Sequence, residues 1–180
     1  MARAVRRVVL SEGDGGAVVR HDDASPHVVE VPGMAGLALT DLWYTDDAPA
    51  SLSGAADAAD RELSVAPPPR GTLFRVVEFP PDAALAAAQS SGAAGAAALG
   101  VAGPTGSGPA DDDDDGLIWH QTDTVDFNVV LEGALALHHA GGRVELGPGD
   151  TVVVRGIRHA WSNPGDVLAR LAAVAVGAAR

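Results

Sequence analysis

From Leu117 to the C-terminus the chain falls into short apolar runs joined by turn residues. Trp119–Leu131, Ala134–His139, Arg143–Leu146, Asp150–Arg155, His159–Asn163 and Leu168–Val176 are successive strand candidates. The same rhythm runs through the first part, in Arg6–Leu10, Ala17–Arg20, Val28–Val31, Leu37–Tyr44 and Thr72–Phe79. The last of these is bounded by Pro67-Pro68-Pro69 and Pro80-Pro81. Short β-rich runs punctuated by Gly and Pro at this spacing predict an all-β sandwich or barrel. One stretch breaks the rhythm. Residues 82–116 are rich in Ala, Gly and Ser and end in the acidic run Asp111–Asp115. The alanines of Ala83–Ala88 suit a helical turn or two. The glycines and like charges that follow predict a mobile insert that the barrel does not need, and five adjacent carboxylates read as a solvated face before they read as a cation site.

Length and charge narrow what such a fold does. The chain has 180 residues and 18.1 kDa, enough for one domain with a core of its own. We divide it into residues 1–81, strands that complete the barrel; 82–116, the acidic insert; and 117–180, the barrel core. A formal net charge of −12 opposes both nucleic-acid phosphates and anionic membranes. All twelve basic residues are Arg, which excludes Schiff-base and P-loop lysines. With no Cys, any metal must be held by nitrogen and oxygen. The apolar start Val8-Val9-Leu10 is cut off by Ser11–Gly16, too short for a signal peptide, and reads as a first strand. Leu168–Ala179 holds Arg170 and falls short of a membrane span. A cytoplasmic protein with a small-molecule partner, and neither nucleic acid nor membrane as partner, is the expectation.

Strand side chains alternate between faces, so His120, Thr122, Thr124, Asp126 and Asn128 share one face of the first core run. Val125, Phe127, Val129 and Leu131 share the other. Two readings fit. Either the polar face meets water and the apolar face the core, or the polar face lines a cavity and the apolar face packs against a second layer or a partner chain.

Two spaced blocks bear on that choice. The first runs from His120-Gln121-Thr122-Asp123-Thr124-Val125-Asp126 to Gly133; the second is Gly156-Ile157-Arg158-His159, then Asn163. In order and spacing they resemble the two motifs of the cupin superfamily, and more narrowly those of small bacterial single-domain cupins. His120 matches the first motif's leading His, Asp126 its carboxylate and Gly133 its Gly. Thr122 stands where a second His belongs, and Arg155 replaces the Pro usual before Gly156. The resemblance covers about a third of the chain, Trp119 to Val176, and implies a double-stranded β-helix, the jelly-roll cupin barrel. It further implies a divalent transition metal (Fe, Mn, Ni or Zn) on His120, Asp126 and His159, with positions open to substrate. Asp123 is a substitute ligand if a bulge turns the strand.

Other residues are secondary candidates. Asn128 is placed to hydrogen-bond a bound oxygen and Trp161, in step with His159, to wall the substrate pocket; these two complete the catalytic set. His138 and His139 sit at a hairpin and are expected to face solvent. Leu42–Asp46 is an aromatic-rich stretch with a packing role. The apolar faces of Val125–Leu131 and Val8–Leu10 predict a homodimer. Two functions follow: a metal-dependent enzyme acting on a small carbonyl, hydroxy-acid or polyketide-like substrate (dioxygenation, isomerisation, dehydration or decarboxylation), or a non-catalytic small-molecule-binding barrel, a sensor or carrier. Acid is expected to release the metal in the range where free His titrates.

Overall fold

The computed structural model describes residues 1–89 and 116–180; residues 90–115, most of the expected insert, lie outside the described residues. Five strands precede that gap: β1 (Arg6–Gly13), β2 (Gly16–Ala24), β3 (Val28–Glu30), β4 (Ala38–Thr45) and β5 (Thr72–Phe79). A short helix, α1 (Asp82–Gln89), follows. Then come β6 (Thr124–Glu132), β7 (Leu135–His139), β8 (Gly142–Leu146), β9 (Thr151–Arg155), β10 (His159–Ser162) and β11 (Ala169–Gly177). Every strand pair is antiparallel. The all-β expectation holds, and among the described residues no helix is long and apolar enough to cross a membrane.

Six strands form one sheet in the order β3-β4-β5-β11-β6-β9, and β10-β7-β8 form a second. Val130, Ala169 and Leu171 of the large sheet pack with Leu135 of the small one, so the sheets meet face to face at this end. A second core cluster, Val31, Met34, Leu37 and Leu39, lies around the β3–β4 connection, with Leu85 of α1 packed on it. Between the clusters the sheets stay apart. The reason is compositional: β11 carries Ala173 and Ala175 where it crosses the middle of the large sheet, and a methyl fills little of the space between layers.

The polar-in, apolar-out alternative is the one β6 adopts. Thr124, Asn128 and Val130 are buried while Phe127, Val129 and Leu131 are exposed on the outer face. The turn after β6 needs Gly133: its φ is +72°, and a Cβ there would stand 2.7 Å from the Ala169 Cα.

Two expectations are modified. The Trp119–Leu131 run is strand only from Thr124, and His120 joins β10 through an isolated bridge to His159. Of the strands before residue 82, β3–β5 enter the large sheet while β1 and β2 pair only with each other. That hairpin is tied down by Arg7, which donates to both carboxylate oxygens of Asp57 and to Leu42 O, while His27 meets the same carboxylate. The helical turns of residues 82–89 form as expected, and their start is anchored to the chain after β10: Asp82 Oδ1 accepts from Asn163 N at 2.7 Å, and the Asp82 N–H donates to Asn163 O.

Candidate functional site

The gap between the sheets is a cavity of about 340 Å³, within the range of small-molecule sites. Its walls are mainly apolar, from Met34, Leu39, Val77, Leu85, Ile118 and Trp161 among others. Its polar groups come from both sheets and include Thr122, Asp126 and Asn128 on and before β6, His159 on β10, His120 beside it, and Arg75 on β5. The five cupin-motif and catalytic candidates, His120, Asp126, Asn128, His159 and Trp161, therefore share one cavity.

The two imidazoles lie side by side, ring centroids 4.2 Å apart, held there by the reciprocal backbone bonds between His120 and His159. His120 Nδ1 is 3.3 Å from Ile118 O and His159 Nδ1 is 3.0 Å from Ile157 O. A carbonyl oxygen only accepts, so in each bond Nδ1 carries the hydrogen. Each neutral ring is thereby left with its lone pair on Nε2. Burial, reinforced by the neighbouring His159, pushes His120 down to about 4, and its carbonyl bond opposes this only in part. Burial also lowers His159, with Asp126 pulling the other way. Asp126 moves oppositely, raised by burial, and its Oδ1 is buried without a hydrogen-bond partner.

These donors fit a divalent transition metal by their chemistry: two imidazole lone pairs with fixed tautomers, and an orphaned carboxylate oxygen in the same cavity. They are not drawn into one cluster, however. Among the described residues no three His, Asp or Glu side chains stand together closely enough to hold a metal ion. What is assembled is the His120–His159 pair, with Asp126 near enough to His159 for the two to act on each other's titration. Thr122, at the missing His position, spends its hydroxyl on Thr124 at 2.6 Å. Asp123 is not a substitute ligand, since it pairs with Arg180 on the surface.

Trp161 walls the cavity beside Phe79, ring centroids 6.3 Å apart. His138 departs from the solvent-facing expectation: it is half-buried and its Nε2 lies 2.9 Å from Ser162 Oγ, off the cavity. In the aromatic stretch, Tyr44 is buried under the Arg61 guanidinium, 3.5 Å from the ring centroid, in keeping with a packing role. Sequence reasoning missed Arg75. Its signal was its place in Leu73-Arg75-Val77, a cation inside an apolar alternation, which is legible only once the inward face of β5 is known.

Residues 109–176 match the family model described as Cupin domain. Over 48 residues the chain is 52% identical to Oryzines biosynthesis cluster protein J of Aspergillus oryzae (strain ATCC 42149 / RIB 40). That match covers 26% of this chain and 27% of the curated relative, about a quarter of its length. Among solved structures, a putative ethanolamine utilization protein Q from Salmonella typhimurium LT2 is 13% identical, with a TM-score of 0.47 over 99% of this chain and 100% of that one. A sugar phosphate isomerase from a cupin superfamily of Silicibacter pomeroyi is 18% identical, with a TM-score of 0.42 over 80% and 61% of the two chains.

Proposed function

We propose that this chain, whose residues 109–176 match the Cupin domain model, is a metal-dependent enzyme of the cupin superfamily acting on a small carbonyl or hydroxy-acid compound. The observation that carries the reading is the His120–His159 pair, two neutral imidazoles whose Nδ1–H groups are committed to backbone carbonyls and whose Nε2 lone pairs are left over. The pair would hold the ion, with Asp126 as the carboxylate beside it. Iron, manganese, nickel or zinc bound there would polarise a substrate oxygen, chemistry common to dioxygenation, isomerisation, dehydration and decarboxylation. Asn128 would hydrogen-bond the bound substrate, Trp161 would flank it, and the apolar walls would exclude bulk water.

Metal content tests this. Wild-type protein loaded with zinc or iron and desalted is expected to retain about one ion per chain. His120→Ala and His159→Ala should each lose it while keeping a β-rich circular dichroism spectrum; His138→Ala and His139→Ala should lose nothing. Because burial holds His120 neutral down to about 4, acid release is expected well below the range of a free histidine, a revision of the expectation from sequence. A wild type that retains no metal above background overturns the reading. The small-molecule-binding barrel, a sensor or carrier, then takes its place; the hydroxyl of Thr122 at a ligand position and the lack of a three-ligand group among the described residues favour it.

The partner surface we assign to a second copy of the chain. On the outer face of the large sheet, Phe74, Val174, Phe127 and Val153 stand in register across β5, β11, β6 and β9. Phe127 is 49% and Val153 54% exposed. A flat apolar row of this kind is self-complementary about a two-fold axis. Sedimentation at micromolar concentration should give a dimer, and Phe127→Asp a monomer; a wild-type monomer refutes the assignment.

A further inference from the structure

The cavity has a second polar place that the imidazole pair does not use. Three strands build it in register: Arg75 of β5 pairs with Ala173 of β11, and Ala173 pairs with Asn128 of β6. All three side chains line the cavity. Ala173 is the residue between Arg75 and Asn128 across the sheet. Asn128 is 5% exposed and lines the cavity. Its amide is not among the buried polar groups sealed off without a partner, so it opens on the cavity, where a ligand can accept from it or donate to it. Arg75 is fixed in place by Asp41, with Nε donating to Oδ1 at 2.8 Å and Nη2 to Oδ2 at 3.1 Å; Nη2 also donates to Ser64 O at 2.7 Å. Nη1 takes no part in these bonds. A guanidinium held rigid on one edge is pre-organised to offer its remaining donors. Around this place the lining is apolar, from Leu73, Val77, Leu171 and Ala175.

We propose that Arg75 and Asn128 form a carboxylate subsite, so that the ligand of this cavity is a small, mainly apolar carboxylic acid. Its acid end lies on the guanidinium and the amide, and the carbons beyond it reach toward His120 and His159. The proposal rests on the metal reading in one respect, the charge balance. Asp41 already neutralises Arg75, so a further anion in a buried cavity calls for more positive charge, which a divalent cation on the imidazole pair supplies.

Phenylacetate and phenylacetamide share a shape and differ in charge, and calorimetric titration of both into zinc-loaded protein tests the subsite. The acid is expected to bind about tenfold or more tightly than the amide, the equivalent of one charge-assisted hydrogen bond. The double variant Asp41→Asn, Arg75→Gln removes both ions together and strands no charge. It should bind acid and amide equally. Asn128→Leu, which leaves the ion pair intact, should weaken the acid more than the amide and keeps the test open if the double variant does not fold. Equal affinities in the wild type, no binding of the acid at millimolar concentration, or a preference that survives in every folded variant would each overturn the proposal. Zinc retained without acid preference sinks the subsite and leaves the metal reading standing. Acid preference in protein that retains no zinc does the reverse.

Discussion

Replacing Asn163 by alanine is expected to destabilise the protein by about 3 kcal/mol, although the residue contributes nothing to the cavity. Its side chain is 1% exposed and fully used. Nδ2 donates to Phe79 O at 2.9 Å and to Val167 O at 2.8 Å, while Oδ1 accepts from Gly165 N at 3.0 Å. One amide thus joins the end of β5 to the turn that leads into β11, and its backbone is doubly tied to Asp82 at the start of α1. Alanine leaves two carbonyls and an N–H without partners. Asn163→Asp should be no better, since a carboxylate placed against two carbonyl oxygens accepts where it must donate. Urea denaturation checks this: the midpoint falls while the slope is unchanged. A loss of less than about 0.5 kcal/mol, the size of an ordinary surface substitution, refutes it. The same variant should still retain zinc, which separates a structural role from a ligand role for this motif residue.

Acid should cost the metal-stripped protein about 3 kcal/mol more than it costs a His120→Gln variant between pH 7 and pH 4. In the folded chain His120 titrates at about 4 against an ordinary value of 6.5, because it is buried next to His159. Between those values the unfolded chain binds a proton that the folded one refuses. Stability is therefore complete above pH 6.5 and is lost as pH falls toward 4. His159, also lowered by burial, adds in the same direction. Asp126 opposes them, because a carboxyl raised by burial favours the fold when protonated. Comparison with His120→Gln cancels the Asp126 contribution and the ordinary acid titration of surface carboxylates. Parallel pH profiles for the two proteins would show that the imidazole is not held neutral.

Much of this architecture is legible in the amino-acid order. The strand runs were visible because a strand needs only local alternation and its turn residues. Thr72–Phe79 is bounded by prolines on both sides and forms over those residues, and Gly133 marks a turn that tolerates no Cβ. The motif positions His120, Asp126 and His159, and the candidates Asn128 and Trp161 chosen by strand parity, all line one cavity. Two local readings were less secure. His120 was assigned to the same strand as Asp126, yet it reaches the cavity through a bridge to His159, a contact between residues far apart in the chain. The β1–β2 hairpin reads like any other strand pair, and nothing in its own residues says that it joins neither sheet and is held by Arg7 on Asp57 and on Leu42 of β4.

The sequence by itself determined which segments are strands, which face of β6 carries the polar groups and which family motifs are present, because alternation, turn residues and spacing are properties of neighbours along the chain. Only the tertiary structure decided that this polar face turns inward, that the two imidazoles stand side by side, and that Arg75 lines the same cavity as Asn128. Each of those depends on strand order and register, where Ala173 of β11 comes to lie between two strands about fifty residues apart in the chain. A cavity of this kind exists because small side chains meet across sheets, a condition set by packing between segments and not by either segment alone.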